Sequence, residues 1–468
     1  MQKLILAILV FFTLSFGLRS QNTNIIGNVS GAEGLKIRLI TTSDYISELT
    51  TKMDETTIDS LGNFKLKTSI NESIFAQIQI DNYKGEIYLE PGRNYNIRIL
   101  ALNFKEDEKE SPFLNRKRLE IEFKIKDSIE LNEQIRKFNV LYNDFIIENF
   151  KALNSYHNRA KIDSFQQNSA SLFSSSKNSF LNNYIKYKIA GMEQMGRTKS
   201  IPKLYSAFIK NQPILYNNVE YMYFFNQFYG NFFLSGRHQL SSENLSQFIK
   251  EKNYAGLLDS LGRDSLVKNE VVRELVFLMG LKEMFYSKVY NNENIISTLT
   301  AYSRKTKFKE NKFIASNLIL LFNSQQTGNK APDFKLKTIN NEPYSLSTFK
   351  GKYTYIGFFT TWCAGCMAEN DAMFILKKKY GDKINFVSIS ADKQVLNLYY
   401  YLEKHKYDWI FLHYGNNIEI LEKFGILTYP VFVLMDPNGI VINNPALKPS
   451  ENIEDEFNSL LNKMNTKP

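Results

Sequence analysis

The sequence predicts a chain of three structural parts: an all-β sandwich, a middle all-α domain and a C-terminal α/β domain. Short strands separated by turn residues fill the first part, apolar residues at helical spacing fill the second, and strands alternate with helices after a polar linker. The predicted boundaries are residues 21–105 for the sandwich, 106–325 for the helical domain and 326–468 for the α/β domain.

The composition is that of a globular protein, and the charge gives no sign of a nucleic-acid partner. Hydrophobic residues make up 43% of the 468 residues and charged residues 23%, which excludes a disordered, collagen-like or coiled-coil chain. The net charge is +10, but residues 330–468 hold 16 Lys against 15 Asp and Glu, and the excess elsewhere is spread along the chain. Because nucleic-acid binding needs a concentrated basic face, no such partner is expected.

The first 20 residues predict an export signal. Lys3 precedes an apolar run at 4–14, and the small residues Ser15 and Gly17 on either side of Phe16 offer a cleavage site. The run is too short to span a bilayer, which takes about 20 helical residues, and no Cys near the cleavage region could carry a lipid. We therefore expect a periplasmic or cell-envelope protein that is not a lipoprotein and has no membrane span once the signal is removed.

The sandwich is predicted from strands at short spacing. Leu35, Ile37 and Leu39 alternate on one face of a strand, and turn residues at 59–63 and 90–92 each precede another strand. This part holds no Cys and no His. It therefore offers no evident chemistry of its own.

The middle part changes to helical spacing. Ile135, Phe138, Leu141 and Tyr142 recur every three or four positions, and similar patterns follow along the chain. An aromatic run at 221–233 stands out. We predict that this run is mainly core, and the alternative is that it faces a partner or an apolar ligand.

The α/β part is predicted from alternating strands and helices that close with a hairpin and a last helix. Its predicted strands span residues 353–359, 384–390, 410–412, 431–435 and 440–442. Its predicted helices span residues 364–380, 393–404, 418–424 and 451–464. This order predicts a mixed central sheet with helices on both faces.

The chemistry-bearing motif is Trp362-Cys363-Ala364-Gly365-Cys366, which lies where an apolar strand meets a helix. A thiol at a helix N-terminus faces unsatisfied N–H groups and the positive end of the helix dipole, which favour the thiolate. The second Cys follows one helical turn later, within bonding reach. The pattern predicts Cys363 as the exposed nucleophile and Cys366 as the shielded resolving thiol.

Two other interpretations of the Cys pair are weaker. A zinc site needs four ligands, but the chain has only two Cys and its four His are scattered. A structural disulfide across so short a loop would add little stability. Redox chemistry without a metal is therefore the favoured interpretation.

Several motifs resemble the exported thioredoxin-like proteins of the TlpA/ResA type, in the AhpC/TSA–thioredoxin superfamily. The residues that carry the resemblance are 331–334, 346–351, the Trp-Cys-x-x-Cys motif, Thr428-Tyr429-Pro430 and the turn at 436–439. The resemblance covers about residues 330–468. It implies a thioredoxin-like fold, thiol–disulfide exchange with protein substrates, no cofactor, and a membrane electron donor, with roles in cell redox homeostasis and cytochrome c biogenesis.

The resemblance also implies roles for individual residues. Cys363 and Cys366 would form the redox disulfide, and Tyr429 with a cis Pro430 would hold an extended substrate segment, while Trp362 shelters the sulfurs. The family places a carboxylate three residues after the second Cys to assist proton transfer, and Glu369 stands there. The alternative for Glu369 is a solvated helix residue.

Departures from the family pattern limit what it implies. Gly365 stands where many relatives have Pro, and no His lies between the two Cys, which favours a reductant over a strong oxidant. Ile356 stands where a peroxiredoxin would need Pro, so peroxidase activity is not expected. The competing function is a non-enzymatic binding protein whose thioredoxin-like domain is vestigial.

Overall fold

The computed structural model describes most of the chain after the predicted export signal, whose residues 1–19 lie outside the described part. The described residues are 20–81, 83–100, 118–124, 129–155, 159–234, 240–287, 289–325, 328–415, 417–426 and 428–465. None of the helices within these ranges is long and apolar enough to cross a membrane.

The N-terminal part consists of strands in two four-stranded sheets. The strands are β1 (Gln21–Val29), β2 (Lys36–Thr42), β3 (Thr50–Thr57), β4 (Asn63–Ile70), β5 (Ile74–Ile80), β6 (Tyr83–Leu89), β7 (Asn94–Ile99) and β8 (Ile121–Phe123). The sheet orders are β4-β1-β7-β8 and β3-β2-β5-β6. Exposed and buried residues alternate along β4 and β7, so one face of these strands packs into the core, as the sequence predicts.

Two strands differ from the sequence prediction. The polar strand β3 has no fully buried residue because it is an edge strand, and it therefore lacks the apolar alternation that marks the others. The short strand β8 pairs with β7, so the sheet extends past residue 105, where the sequence placed the end of the sandwich. Three residues are too few to show a period.

Helices follow, in agreement with the predicted helical part. They are α1 (Leu131–Ser155), α2 (Arg159–Leu172), α3 (Ser179–Met195), α4 (Ile201–Phe208), α5 (Val219–Tyr229), α6 (Ser242–Lys250), α7 (Tyr254–Leu261), α8 (Glu270–Ser287), α9 (Asn292–Ser303) and α10 (Lys309–Gln325). The aromatic run at 221–233 is confirmed as core: Phe224 and Phe225 are fully buried, although Tyr223 is exposed.

The sandwich and the helices are joined by hydrogen bonds to backbone groups. The Asn132 side chain accepts from the Tyr88 N–H at 2.7 Å and donates to the Tyr88 carbonyl at 2.8 Å. Lys282 of α8 donates to the carbonyl of Ile46, between β2 and β3, at 2.7 Å. Each of these bonds satisfies a loop or strand group that the sandwich alone would leave open.

The C-terminal part is a seven-stranded mixed sheet in the order β10-β9-β13-β12-β11-β14-β15. Its strands are β9 (Lys335–Lys337), β10 (Pro343–Ser345), β11 (Tyr353–Phe359), β12 (Ile384–Ser390), β13 (Ile410–His413), β14 (Val431–Met435) and β15 (Val441–Ala446). Its helices are α11 (Ala364–Tyr380), α12 (Val395–His405), α13 (Ile418–Lys423) and α14 (Ile453–Asn465).

The central strand β11 explains why helices cover both faces of this sheet. Every residue of β11 is buried, and neighbours along it point to opposite faces. Tyr355 belongs to the cluster formed with α11 and α14, whereas Ile356 belongs to the cluster formed with α13. The predicted mixed sheet with helices on both faces is confirmed.

Candidate active site

The Trp-Cys-x-x-Cys motif lies at the junction of β11 and α11. Cys363 is the N-cap of α11, and its sulfur accepts the Cys366 backbone N–H at 3.2 Å. The Cα atoms of Cys363 and Cys366 are 5.2 Å apart, and the two sulfurs form a disulfide. The helix N-terminus therefore places an N–H donor and the positive end of its dipole at the first sulfur, where they favour a thiolate after reduction.

The two sulfurs differ in their access to solvent. Cys366 is 1% exposed, while Cys363 is partly exposed at the start of the helix. An incoming disulfide or thiol therefore reaches Cys363 first. The roles of nucleophile for Cys363 and resolving thiol for Cys366 stay predictions.

The loop before β14 lies against the exposed sulfur. The Tyr429–Pro430 peptide bond is cis, and the Tyr429 carbonyl oxygen lies 3.9 Å from the Cys363 sulfur. The Tyr429 hydroxyl is buried without a hydrogen-bond partner, and burial raises the pKa of this phenol. Trp362 is half-buried beside Cys363 in sequence.

Glu369 is engaged by a different part of the chain. Its carboxylate accepts the Ser450 N–H at 3.0 Å and the Ser450 hydroxyl at 2.6 Å. Ser450 belongs to the short 3₁₀ helix Pro449–Glu451 between β15 and α14. The carboxylate thus ties α11 to that segment, and its predicted part in proton transfer stays a prediction.

A carboxylate that the sequence analysis missed holds the loop in front of the motif. Asp392 is fully buried after β12, and it accepts the Thr361 N–H at 3.1 Å and the Thr361 hydroxyl at 2.8 Å. Ser390 donates to the same carboxylate at 2.6 Å. Because β11 and β12 are parallel neighbours, their carboxyl ends meet at one edge, and a polar residue after each strand was a usable signal.

Burial changes the pKa values of Asp392 and His413. Burial raises the pKa of Asp392, and the hydrogen bonds from Ser390 and Thr361 oppose that shift. Burial also lowers the pKa of His413, whose Nε2 lies 2.6 Å from the Asp392 carbonyl oxygen and whose Nδ1 accepts the Gly415 N–H at 3.1 Å. These two partners fit the imidazole tautomer that carries its proton on Nε2.

The sequence analysis missed a second polar group, which lies on the same helix as Cys366. Asn370 follows Cys366 by one helical turn on the buried face of α11, and its amide donates to the Tyr401 hydroxyl of α12 at 3.0 Å. Tyr401 shares an apolar cluster with Cys366. Neither residue belongs to a short motif, so only the packing of α12 on α11 reveals them.

Clusters of metal-ligating side chains are a separate feature of the described residues. Within those ranges, no three His, Cys, Asp or Glu side chains lie together as ligands.

Comparisons with known proteins agree with the C-terminal geometry. The AhpC/TSA family model matches residues 327–443, which include the motif and Pro430. The thioredoxin-like protein YneN of Bacillus subtilis is 34% identical over 119 residues, which is 25% of this chain and 69% of that protein. The thiol-disulfide oxidoreductase ResA of Bacillus thuringiensis is 29% identical over 119 residues, which is 25% of this chain and 68% of ResA.

The chain is also similar to solved structures. The thioredoxin domain of a thiol-disulfide oxidoreductase from Bacteroides vulgatus is 23% identical. The match covers 28% of this chain and 97% of that domain, with a TM-score of 0.27.

Proposed function

Because the chain belongs to the AhpC/TSA family and is a thiol–disulfide oxidoreductase with a thioredoxin-like C-terminal part, we propose that it exchanges disulfide bonds with exported proteins through Cys363 and Cys366. One observation carries the proposal. The motif forms a disulfide in which Cys363 is partly exposed at a helix N-terminus and Cys366 is buried. That asymmetry is what sequential attack and resolution require.

The proposed reaction on a substrate disulfide runs in two exchanges. The Cys363 thiolate attacks one substrate sulfur, a mixed disulfide forms, and the other substrate sulfur leaves as a thiolate. Cys366 then loses its proton and attacks the Cys363 sulfur, which forms the Cys363–Cys366 disulfide and releases the substrate. Two electrons pass from the cysteine pair to the substrate, and the reverse sequence oxidises a substrate dithiol.

The substrate segment is proposed to lie along the loop at Tyr429 and Pro430. The Tyr429 carbonyl borders the Cys363 sulfur at 3.9 Å, so an extended segment that offers its sulfur to Cys363 would run beside this backbone. Proline has no backbone N–H, so the loop edge has no hydrogen-bond donor at position 430. Trp362 is proposed to shelter the sulfurs on the opposite side.

The proposed direction is net reduction. No His lies between Cys363 and Cys366, so the thiolate lacks the imidazolium that would favour a strong oxidant. We expect a midpoint potential nearer the roughly −270 mV of thioredoxin than the roughly −120 mV of a strong thiol oxidase. A reductant outside the cytoplasm needs a source of electrons, and a membrane electron donor is part of this proposal.

The proposed location is the periplasm or cell envelope. The apolar run at 4–14 after Lys3 supports export, and the name of the relative ResA fits thiol chemistry of this kind. Reduced glutathione is scarce outside the cytoplasm, so a dedicated donor and a dithiol pair are needed to keep substrate thiols reduced. A part in cytochrome c biogenesis would follow if the substrates are haem-binding thiols.

The test is to trap substrates on a Cys366→Ala variant of the full chain. Without Cys366, the mixed disulfide on Cys363 cannot be resolved, so substrate proteins should accumulate on the chain and be released by a reductant. Cys363→Ala is the matched control and should trap none. Equal trapping by both variants, or failure of the parent to reduce insulin disulfides, would contradict the proposal.

A further inference from the structure

We propose that the N-terminal sandwich positions the active-site loop, residues 360–362 before Cys363, by holding Lys393 of the C-terminal part. Lys393 is then a positioning residue for the attack by Cys363. This inference rests on the proposed function, because it concerns the sulfur that attacks the substrate. It gives the sandwich, which holds no Cys and no His of its own, a part in the reaction.

The turn between β5 and β6 meets the C-terminal part at Lys393. The Lys393 ammonium lies 3.8 Å from a carboxylate oxygen of Asp81, and the two side chains are each 14% exposed. The same ammonium lies over the Tyr83 ring, 5.5 Å from its centroid. One carboxylate and one aromatic face of the sandwich therefore attract the same cation of the C-terminal part.

The burial of the Lys393 ammonium makes its position depend on the sandwich. Its nitrogen is buried and has no hydrogen-bond partner among the described residues. The Asp81 charge and the Tyr83 ring therefore replace the water that the ammonium loses. Lysine is seldom buried unless it is paired, and a buried charge that loses its partner is strongly destabilising. Lys393 thus keeps this place only while the sandwich turn contacts it.

The turn that carries Asp81 is itself held in shape. Asp81 has a left-handed backbone with a φ of 51°, which Asp adopts more readily than most residues. The Gln79 side chain donates to the Asp81 carbonyl at 2.9 Å, and Gln79 is 4% exposed. A fixed backbone therefore presents the Asp81 carboxylate to Lys393.

Lys393 is joined to the active-site loop through its neighbour Asp392. The Asp392 carboxylate accepts the N–H of Thr361, two residues before Cys363, at 3.1 Å. The Asp392 carbonyl oxygen lies 2.6 Å from Nε2 of His413. A displacement of Lys393 is therefore passed across one peptide bond to the carboxylate that holds the loop.

The geometry of the loop governs the reactivity of the attacking sulfur. Cys363 is the N-cap of α11, and its sulfur accepts the Cys366 N–H at 3.2 Å. This hydrogen bond and the helix dipole favour the thiolate while the sulfur keeps its place at the helix N-terminus. A loop released from its support should leave less Cys363 thiolate and a slower attack.

The test measures how fast Cys363 of the reduced full chain attacks dithionitrobenzoate, which releases a coloured thiolate. Asp81→Asn keeps a side chain that tolerates the left-handed backbone and removes the charge. Lys393→Met keeps the apolar stem and removes the ammonium. We expect each variant to slow the first release by about three- to tenfold. Lys393→Arg keeps a cation that stacks on an aromatic ring, and should stay near the parent rate.

The double variant of Asp81→Asn with Lys393→Met shows whether both changes act through one contact. If they do, the double variant should be no slower than the slower single variant, whereas independent effects would multiply. Urea unfolding followed by Trp fluorescence checks that each variant is folded. If Lys393→Met does not fold, the rate of Asp81→Asn decides by itself.

The matched control is Lys307→Met in the helical part. The Lys307 ammonium also pairs with a carboxylate, that of Glu270 at 2.6 Å, and also lies over a ring, that of Phe308 at 5.3 Å. Its loss removes the same kind of contact from a part of the chain that does not carry the motif. Lys307→Met should therefore attack dithionitrobenzoate at the parent rate.

Two sets of outcomes separate this inference from the proposed function. Parent rates of first release in Asp81→Asn and Lys393→Met would overturn the positioning role, and so would a double variant whose slowing is the product of the two single effects. If the parent failed to reduce insulin disulfides, the proposed function would fail instead. The rates of first release would then still decide whether the sandwich positions Cys363.

Discussion

The active-site motif has a buried flank and an exposed flank, and each holds a carboxylate of different character. On the buried flank, Asp392 is fully buried and holds Thr361 by backbone and side chain. On the exposed flank, Glu369 is partly exposed and binds Ser450. The Asp392 carboxylate supports the loop that carries Trp362 and Cys363. The Glu369 carboxylate joins α11 to the short 3₁₀ helix before α14.

The difference shows that nearness in sequence is a poor guide to support of a catalytic loop. Glu369 is three residues from Cys366, while Asp392 reaches the loop only because β12 lies beside β11. A buried carboxylate with hydrogen bonds to backbone N–H groups fixes a loop more firmly than an exposed one. The following predictions test this contrast, from the largest expected effect to the smallest.

Asp392→Ala should have the largest effect on stability. It leaves the Thr361 N–H and the hydroxyls of Thr361 and Ser390 buried without their acceptor, and should lower the free energy of unfolding by about 2 to 3 kcal/mol. Both Trp residues of the chain, Trp362 and Trp409, lie in the C-terminal part. Urea unfolding followed by Trp fluorescence therefore reports on that part alone.

The matched control for this change is Asp382→Ala. Asp382 is exposed in the turn after α11, so its removal should change the free energy of unfolding by less than about 0.5 kcal/mol. If both variants unfold at the same urea concentration, Asp392 does not support the loop.

Asp392→Asn should alter the pH dependence of stability. Because burial raises the pKa of Asp392, the folded chain holds this proton more tightly than the unfolded chain. The resulting stabilisation is complete below the ordinary Asp pKa and is lost as the pH rises through the folded value. Relative to Asp392→Asn, the parent should therefore lose free energy of unfolding as the pH rises from about pH 3 to pH 7. Urea unfolding across this range measures the difference.

Glu369→Gln should slow disulfide exchange by less than about tenfold, below the usual range of general acid–base effects. Both oxygens of the Glu369 carboxylate accept hydrogen bonds from Ser450, and the Gln side chain keeps an acceptor for that residue. Insulin reduction measures this effect, with Asp392→Asn as the comparison. A slowing of about a hundredfold would instead assign the proton transfer to Glu369, as its position in the motif predicts.

Ser450→Ala should have the smallest effect. It removes one hydroxyl donor from Glu369 and leaves the Ser450 backbone N–H in place. The free energy of unfolding should fall by about 0.5 to 1 kcal/mol, and disulfide exchange should stay near the parent rate. A marked gain in exchange rate would show that this hydroxyl restrains a carboxylate that serves the cysteines.

Periodicity predicted most of the fold because it reports which face of an element is buried. The fully apolar β11 and the alternating β4 and β7 were predicted in this way. Strand β3 was missed because its edge position allows polar residues on both faces, and β8 because three residues show no period. These two depend on pairing with a partner strand, which a local pattern does not contain.

For the site, the sequence by itself determined the local chemistry. The spacing of Cys363 and Cys366 places both sulfurs in the first turn of a helix, where bonding between them follows from helix geometry. Pro430 was identified by its motif, and the resemblance of the motifs predicted thiol–disulfide exchange. Each of these features is contained in a few consecutive residues, so no knowledge of distant contacts was needed.

Only the tertiary structure decided which polar groups meet the motif. Asp392 reaches Thr361 across the sheet, Ser450 takes up Glu369, and Tyr401 approaches Cys366 because α12 packs on α11. These contacts join residues about 30 to 80 positions apart, and the strength of each depends on burial and geometry. A side chain's sequence neighbours fix its element, but its partners are fixed by how the elements pack.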